Sequence, residues 1–70
     1  MNGNELMRKL RKYANAHGLD LAFEAHRGKG SHGTLYLGDH RTTLKDRKKE
    51  ISPGLLNSML KDLGVDPKDI

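Results

Sequence analysis

His32 lies in the part of this chain that is best suited to cutting a phosphodiester bond. It follows a glycine-rich stretch, residues 28–31, with the cations Arg27 and Lys29 nearby. RNA needs no external nucleophile, because its own 2′-hydroxyl can attack the adjacent phosphate. A histidine titrates near neutrality, so it can accept the proton of that hydroxyl or protonate the leaving 5′ oxygen. His32 is therefore a candidate catalytic residue, and an ordinary solvated histidine is the competing interpretation.

Positive charge is concentrated around this histidine. The 70-residue chain has a net charge of +4, and residues 26–49 alone hold seven basic and two acidic side chains, a net of +5. Such an excess is typical of a surface that binds a polyanion, most often nucleic acid, although a solvated charged face is the alternative. The side chains that we expect to contact RNA are Arg27, Lys29, Ser31, Arg41, Lys45, Arg47, Lys48 and Lys49.

The composition argues against several other chemistries. The absence of cysteine excludes disulfides, thiolate nucleophiles and cysteine-based zinc sites. His26, His32 and His40 lie six and eight residues apart on separate predicted strands, which is unlike the spacing of a zinc site. We therefore expect no metal and no other cofactor. Because no apolar run reaches membrane-spanning length and no signal-peptide pattern is visible, we expect a cytoplasmic location.

Two amphipathic helices are predicted near the ends of the chain. Asn2 and Glu5 have the spacing of a capping box at the start of the first helix, which Gly18 is suited to end. Ser52 is suited to cap the second helix, and Gly64 to end it. Each helix has one apolar stripe, so each should bury one face.

Three short strands are predicted between the helices. Residues 19–26 and 31–37 alternate between apolar and polar side chains, and residues 40–44 include β-branched threonines. Tight turns at residues 27–30 and 38–39 would connect them as an antiparallel meander.

These elements predict a single α+β domain over residues 1–70, with the order α-β-β-β-α. Both helices should cover the same face of a three-stranded antiparallel sheet, because each has a single apolar stripe. Residues 66–70 should fray. The other sheet face should stay open, and its predicted side chains are Glu24, His26, His32, Thr34 and Tyr36.

A short Gly-Ser-His element, residues 30–32, lies among further patterns that extend over nearly the whole chain. The first helix contributes the pair Leu6 and Leu10, and a predicted strand precedes the glycine-rich stretch. The apolar and aromatic residues 35–37 and the basic loop follow. The closing helix, residues 54–64, reads Gly-Leu-Leu-Asn-Ser-Met-Leu-Lys-Asp-Leu-Gly. Together these features resemble the HicA family of bacterial toxin–antitoxin systems.

The resemblance implies a fold like that of a double-stranded-RNA-binding domain and metal-independent cleavage of messenger RNA that arrests growth. It also implies a partner antitoxin of the HicB type. The family's catalytic histidine maps onto His32. Many members carry a second histidine in a Thr-x-Pro-x-His stretch before the last helix, whereas residues 42–46 here lack both the proline and the histidine. His26, Lys29 or Lys48 would have to supply the second catalytic group.

Two other functions use the same charge pattern. A non-catalytic double-stranded-RNA-binding module would read A-form RNA by its shape, through basic loops and a helix start. A protein-interaction domain would present its basic face to an acidic partner. In the toxin interpretation, the antitoxin should bind the open sheet face at His26, His32 and Tyr36. Proton transfer by His32 separates these functions, because only a nuclease requires it.

Overall fold

The computed structural model describes residues 1–27 and 32–70 of the chain. Its elements are α1 (Gly3–His17), β1 (Leu21–Ala25), β2 (Gly33–Leu37), β3 (His40–Leu44), α2 (Pro53–Leu63) and a short 3-10 helix (Pro67–Asp69). The strands form one antiparallel sheet in the order β1-β2-β3. The predicted α-β-β-β-α order and three-stranded meander are therefore confirmed.

Both helices begin and end at the residues that the sequence indicates. The side chain of Asn2 accepts a hydrogen bond from the Glu5 backbone N–H at 2.9 Å, and the Glu5 carboxylate accepts one from the Asn2 N–H at 3.3 Å. The Ser52 hydroxyl caps α2 in a similar way. Gly18 and Gly64 end the two helices in the left-handed conformation, with φ of 65° and 71°, which costs glycine little.

The strands are shorter than the alternating pattern predicts. β1 begins at Leu21 rather than at Leu19, because the Leu19 backbone N–H donates to the Ala14 carbonyl at 2.8 Å and so belongs to the end of α1. β2 begins at Gly33, whereas the pattern predicts a strand over residues 31–37; His32 precedes β2, and Ser31 lies outside the described residues. The third strand, residues 40–44, is as predicted.

The hydrophobic core lies between the two helices and one face of the sheet. The buried side chains that form it are Leu6, Leu10, Ala14, Leu35, Leu37, Leu44, Ile51, Met59, Leu60, Leu63 and Val65. A partly buried hydrogen bond joins the sheet to α2: the Thr42 hydroxyl donates to the Asp62 carboxylate at 3.0 Å. Within the described residues, no helix covers the opposite face of the sheet, as predicted.

The last residues of the chain are ordered, so the expectation that residues 66–70 fray is wrong. The Asp66 carboxylate accepts the Lys68 backbone N–H at 2.9 Å and starts the 3-10 helix. Ile70 is half-buried and packs against the core. This apolar contact holds the tail against the domain, which the polar composition of residues 66–69 did not indicate.

Candidate active site

His26 and His32 lie opposite each other just beyond the paired ends of β1 and β2. The backbone N–H of His26 donates to the carbonyl of His32 at 2.9 Å. Ala25 faces Gly33 in the adjacent position of the ladder. Because side chains alternate along strands, both histidines have the register of the face opposite the helices. In antiparallel pairs, opposed Cβ atoms are about 4.5–5.5 Å apart, so the two imidazoles share one patch, which we call the histidine pair.

The two histidines differ in their surroundings. His26 is half-buried, and its Nε2 atom lies 2.8 Å from the Thr34 hydroxyl oxygen, within hydrogen-bond distance. His32 is exposed. The pair therefore combines one imidazole held by a neighbouring strand residue with one imidazole that is accessible to a ligand.

The sheet surface around the pair forms a continuous polar face, here called the open face. Its residues, by strand register, are Ala22, Glu24, His26, His32, Thr34, Tyr36, Arg41 and Thr43. Tyr36 is half-buried and faces the exposed Arg41 across β2 and β3. Sequence reasoning identified the members on β1 and β2 but did not assign Arg41 and Thr43 to this face, although they alternate with the apolar side of β3.

Several of the expected RNA-binding residues lie at the same end of the sheet as the histidine pair. Arg27 is exposed and follows His26 directly. Leu44 faces Gly33 at the last position of the β2–β3 ladder, so the basic loop that starts at Lys45 leaves the sheet at this end. Lys29 and Ser31, like the rest of the predicted glycine-rich turn, lie outside the described residues.

The rest of the basic loop is held against the start of α1. The Asn4 backbone N–H donates to the Arg47 carbonyl at 2.9 Å, and the Lys48 N–H donates to the Asp46 carboxylate at 2.9 Å. The Arg47 guanidinium lies 5.1 Å from the centre of the Phe23 ring, a cation–π distance on the core side of β1. Arg47 therefore makes a contact within the domain although it is exposed, as Lys48 and Lys49 are.

The third histidine of the predicted strands is not part of the pair. His40 has the register of the core side of β3. Its ring lies close to Gly64 at the end of α2, since a Cβ atom built on Gly64 would be 3.0 Å from the His40 Nε2 atom. Across residues 1–27 and 32–70, no group of three or more histidine, cysteine, aspartate or glutamate side chains is arranged to hold a metal ion.

A family model described as the HicA toxin of bacterial toxin–antitoxin systems matches residues 4–65. The chain belongs to the HicA toxin family. The match covers the three strands, α2 and all of α1 except Gly3. The chain is therefore the toxin of a toxin–antitoxin system, and the family implies an antitoxin as its partner. No curated protein and no solved structure matches it.

The element order of this HicA toxin is compatible with the double-stranded-RNA-binding-like fold that the resemblance implied. In the described part of the chain, neither helix has the length and apolar character needed to cross a membrane.

Proposed function

We propose that this HicA-family toxin is a metal-independent endoribonuclease that cleaves messenger RNA, with His32 and His26 as its catalytic pair. The observation that carries the proposal is the pairing of His26 with His32 on the open face. Cleavage through the RNA's own 2′-hydroxyl requires one group to accept a proton and another to donate one. Two neighbouring imidazoles can fill both roles near neutral pH.

The reaction that we propose is an internal transfer followed by product release. One histidine accepts the proton of the 2′-hydroxyl, the 2′ oxygen forms a bond to the adjacent phosphorus, and the bond from phosphorus to the 5′ oxygen breaks. The other histidine protonates that 5′ oxygen. The products are a 2′,3′-cyclic phosphate and a 5′-hydroxyl, and no water or metal ion takes part in this step.

His26 is a better candidate for the second catalytic group than Lys48. It lies opposite His32 in the strand register, and the contact with Thr34 fixes the position of its ring. Lys48 belongs to the exposed basic loop, and its backbone N–H donates a hydrogen bond to the Asp46 carboxylate in the same loop. Lys48 is therefore assigned to phosphate binding in this proposal, which leaves Lys29 as the remaining alternative.

The RNA is proposed to lie along the open face, with its backbone held by the surrounding cations. Contacts to phosphates supply affinity and register, while the histidine pair acts on one phosphodiester bond. The cations proposed to hold the backbone are Arg27, Lys29, Arg41, Lys45, Lys48 and Lys49, with Ser31 beside them. Arg47 can join them while its guanidinium covers Phe23, because such stacking leaves its N–H donors available.

A HicB-type antitoxin is proposed to neutralise the toxin by covering the open face. The family implies an antitoxin partner, and this face lies on the side of the sheet away from both helices. His26, His32 and Tyr36 are the residues that we expect it to contact. The positive charge around them would steer an acidic partner as it steers RNA.

Cleavage assays on purified histidine variants test the nuclease proposal. His32→Ala and His26→Ala should each lower the cleavage rate by about 10²- to 10⁴-fold, the usual contribution of a general acid or base. His40→Ala, which removes a histidine from the other side of the sheet, is the matched control and should retain activity. Circular dichroism and thermal melting confirm that each variant is folded.

The same assays distinguish the binding-only alternative. A folded His32→Ala protein with full cleavage activity would refute the catalytic assignment. Wild-type protein that binds RNA but never cuts it would instead favour the non-catalytic RNA-binding module.

A further inference from the structure

A groove on the helix side of the domain combines an aromatic stack with two lysines. It has a volume of about 410 Å³ and lies between α1 and the carboxyl-terminal tail. Its principal lining residues are Lys9, Lys12, Tyr13, His17, Asp69 and Ile70. Because α1 packs on the core face of the sheet, this groove lies on the opposite side of the domain from the histidine pair.

The aromatic part of the groove is a preformed stack. The rings of Tyr13 and His17 lie 4.1 Å apart, centre to centre, with an angle of 27° between their planes. Tyr13 is half-buried and packs against the core, whereas His17 is exposed. Tyr13 therefore supports the imidazole of His17 from the protein side and leaves His17 accessible to a flat ligand.

The groove places two cationic side chains beside the stack. Lys9 and Lys12 are exposed and lie on the same wall as the stack, since residues three and four positions apart share one face of a helix. Asp69 is the one acidic side chain among the lining residues, against Lys9 and Lys12. A nucleotide has the matching chemistry, with a flat base for the stack and a phosphate for the lysines.

We propose that this groove binds an unpaired nucleotide of a single-stranded RNA. The base stacks on the exposed His17 ring, and Lys9 and Lys12 contact the flanking phosphates. Stacking platforms combined with cationic grooves are the general means by which proteins hold single strands without reading their sequence. The proposal rests on RNA as the toxin's substrate, and it gives the toxin a second contact with that strand away from the site of cleavage.

A binding titration on a strand that cannot be cut tests this proposal. The ligand is a fluorescent single-stranded 2′-O-methyl oligonucleotide of about 12 nucleotides, within the usual site sizes of single-strand binders. His17→Ala should weaken binding at least about fivefold, which corresponds to the lower end of the stacking energies measured for one base. Lys9→Ala/Lys12→Ala should weaken it as well, and Asp69→Asn should strengthen it.

The same helix offers a matched control. Arg8 and Arg11 are exposed on α1 but do not line the groove, so Arg8→Ala/Arg11→Ala removes the same charge from the same helix. This control should weaken binding less than the lysine pair does. With a fully paired duplex as ligand, the effect of His17→Ala should disappear, because a paired base is not free to stack on the ring.

The outcomes separate this inference from the nuclease proposal. The groove proposal would be overturned if the lysine and arginine double variants lost RNA affinity equally and His17→Ala kept its affinity. Only diffuse electrostatic attraction of RNA to α1 would then remain. Groove variants that lose an acidic protein partner but keep RNA affinity would also overturn it, in favour of a protein-binding surface. A wild-type protein that fails to bind the strand would overturn the groove proposal, whereas the nuclease proposal stands or falls on the cleavage assays with the histidine variants.

Discussion

The Nε2 atom of His26 lies 2.8 Å from the hydroxyl oxygen of Thr34. The strand register sets His26 opposite His32, so Thr34 is its diagonal neighbour on the same face of the sheet. The contact holds a half-buried imidazole beside an exposed one. In the proposed reaction, the position of the second proton-transfer group therefore depends on a threonine hydroxyl.

Replacing Thr34 with valine should impair cleavage without removing either histidine. Thr34→Val retains the β-branched shape of the side chain and removes the hydroxyl. We expect kcat/KM to fall about two- to tenfold, which corresponds to one neutral hydrogen bond.

Two variants control for this effect. Thr34→Ser restores the hydroxyl and should recover most of the lost activity. Thr43 faces Thr34 on the open face and is exposed, so Thr43→Val makes the same change without a histidine contact and should have little effect. A Thr34→Val protein with the wild-type kcat/KM would show that Thr34 does not position His26 for the reaction.

Gly33, which adjoins His32 in sequence, should not tolerate a side chain. A Cβ atom there would lie 2.3 Å from the Phe23 Cζ atom and 2.7 Å from the Glu24 carbonyl oxygen. Overpacking of this kind costs about 1–3 kcal/mol or more, and a domain of this size loses about 4–8 °C in Tm for each kcal/mol. Gly33→Ala should therefore lower the Tm by at least about 4 °C in a thermal melt.

Gly54 is the matched control for this substitution. It lies in the first turn of α2, and a Cβ atom there would meet nothing within 4 Å. Gly54→Ala should leave the Tm unchanged or raise it slightly, because alanine reduces the entropy of the unfolded chain. Equal melting temperatures for both alanine variants would mean that the Phe23 ring moves aside easily.

Local signals in the sequence were sufficient to predict the element order and the ends of both helices. The capping box of Asn2 and Glu5 and the terminal Gly18 and Gly64 are determined by residues within one turn of each other. The start of β1 was not predictable from alternation, because Leu19 fits the strand pattern but bonds to the end of α1. An alternating pattern indicates which face of a strand a side chain lies on. It does not show that the backbone N–H of the same residue bonds to a helix instead of to a neighbouring strand.

The candidate site was less predictable than the fold. Sequence reasoning left His26, Lys29 and Lys48 open as the second catalytic group, because a glycine-rich turn does not fix the register of the strands it joins. The observed register pairs Ala25 with Gly33, and that pairing makes His26 the partner of His32. The contact of Arg47 with Phe23 joins residues distant in sequence, and no local pattern indicates it.

Reversing the charge of the exposed lysines in the basic loop should weaken RNA binding through lost phosphate contacts. Lys48→Glu and Lys49→Glu, measured singly, should each lower affinity, and each lost contact with a single strand should reduce the slope of log affinity against log salt by roughly 0.7. Binding titrations at several salt concentrations measure this slope.

Lys61→Glu is the charge-matched control, because Lys61 is an exposed lysine in the last turn of α2. It should change the slope less than either loop variant. An identical salt slope in all three variants would show that Lys48 and Lys49 do not contact the RNA backbone.

Cleavage should require a 2′-hydroxyl at the cut position and proceed in the presence of a chelator. The proposed nucleophile belongs to the RNA itself, and the proposed acid and base are both histidines. A substrate with one 2′-deoxy nucleotide at the mapped cut site should remain intact there, while EDTA should leave the rate unchanged. Mass spectrometry should detect a 2′,3′-cyclic phosphate and a 5′-hydroxyl.

Each part of this experiment can contradict the proposal separately. Loss of cleavage in EDTA that returns with added metal would replace the histidine mechanism with a metal-dependent one. Cutting of the deoxy-substituted position would show that the nucleophile is not the 2′-hydroxyl.

The antitoxin and RNA should compete for the open face. A partner that covers the histidine pair, Tyr36 and Arg41 would exclude the strand from the catalytic groups, and the local positive charge attracts both ligands. Titrating the antitoxin into a toxin–RNA complex should therefore lower the apparent RNA affinity at least about tenfold. Tyr36→Ala should weaken antitoxin binding, because an aromatic side chain at the centre of an interface is a common energetic anchor.

Thermal melting gives an independent measure of the same complex. A ligand present at 100 times its Kd stabilises the folded protein by about 2.7 kcal/mol, so the bound toxin should melt about 10 °C or more above the free toxin. Tyr36→Ala should reduce this increase, whereas Lys61→Glu, on α2 and away from the open face, should preserve it. Masking of the open face would be refuted by a ternary complex of toxin, antitoxin and RNA. In that complex the bound antitoxin would raise the melting temperature of the toxin without lowering its RNA affinity. Inhibition would then have to act from a surface other than the one that bears His26 and His32.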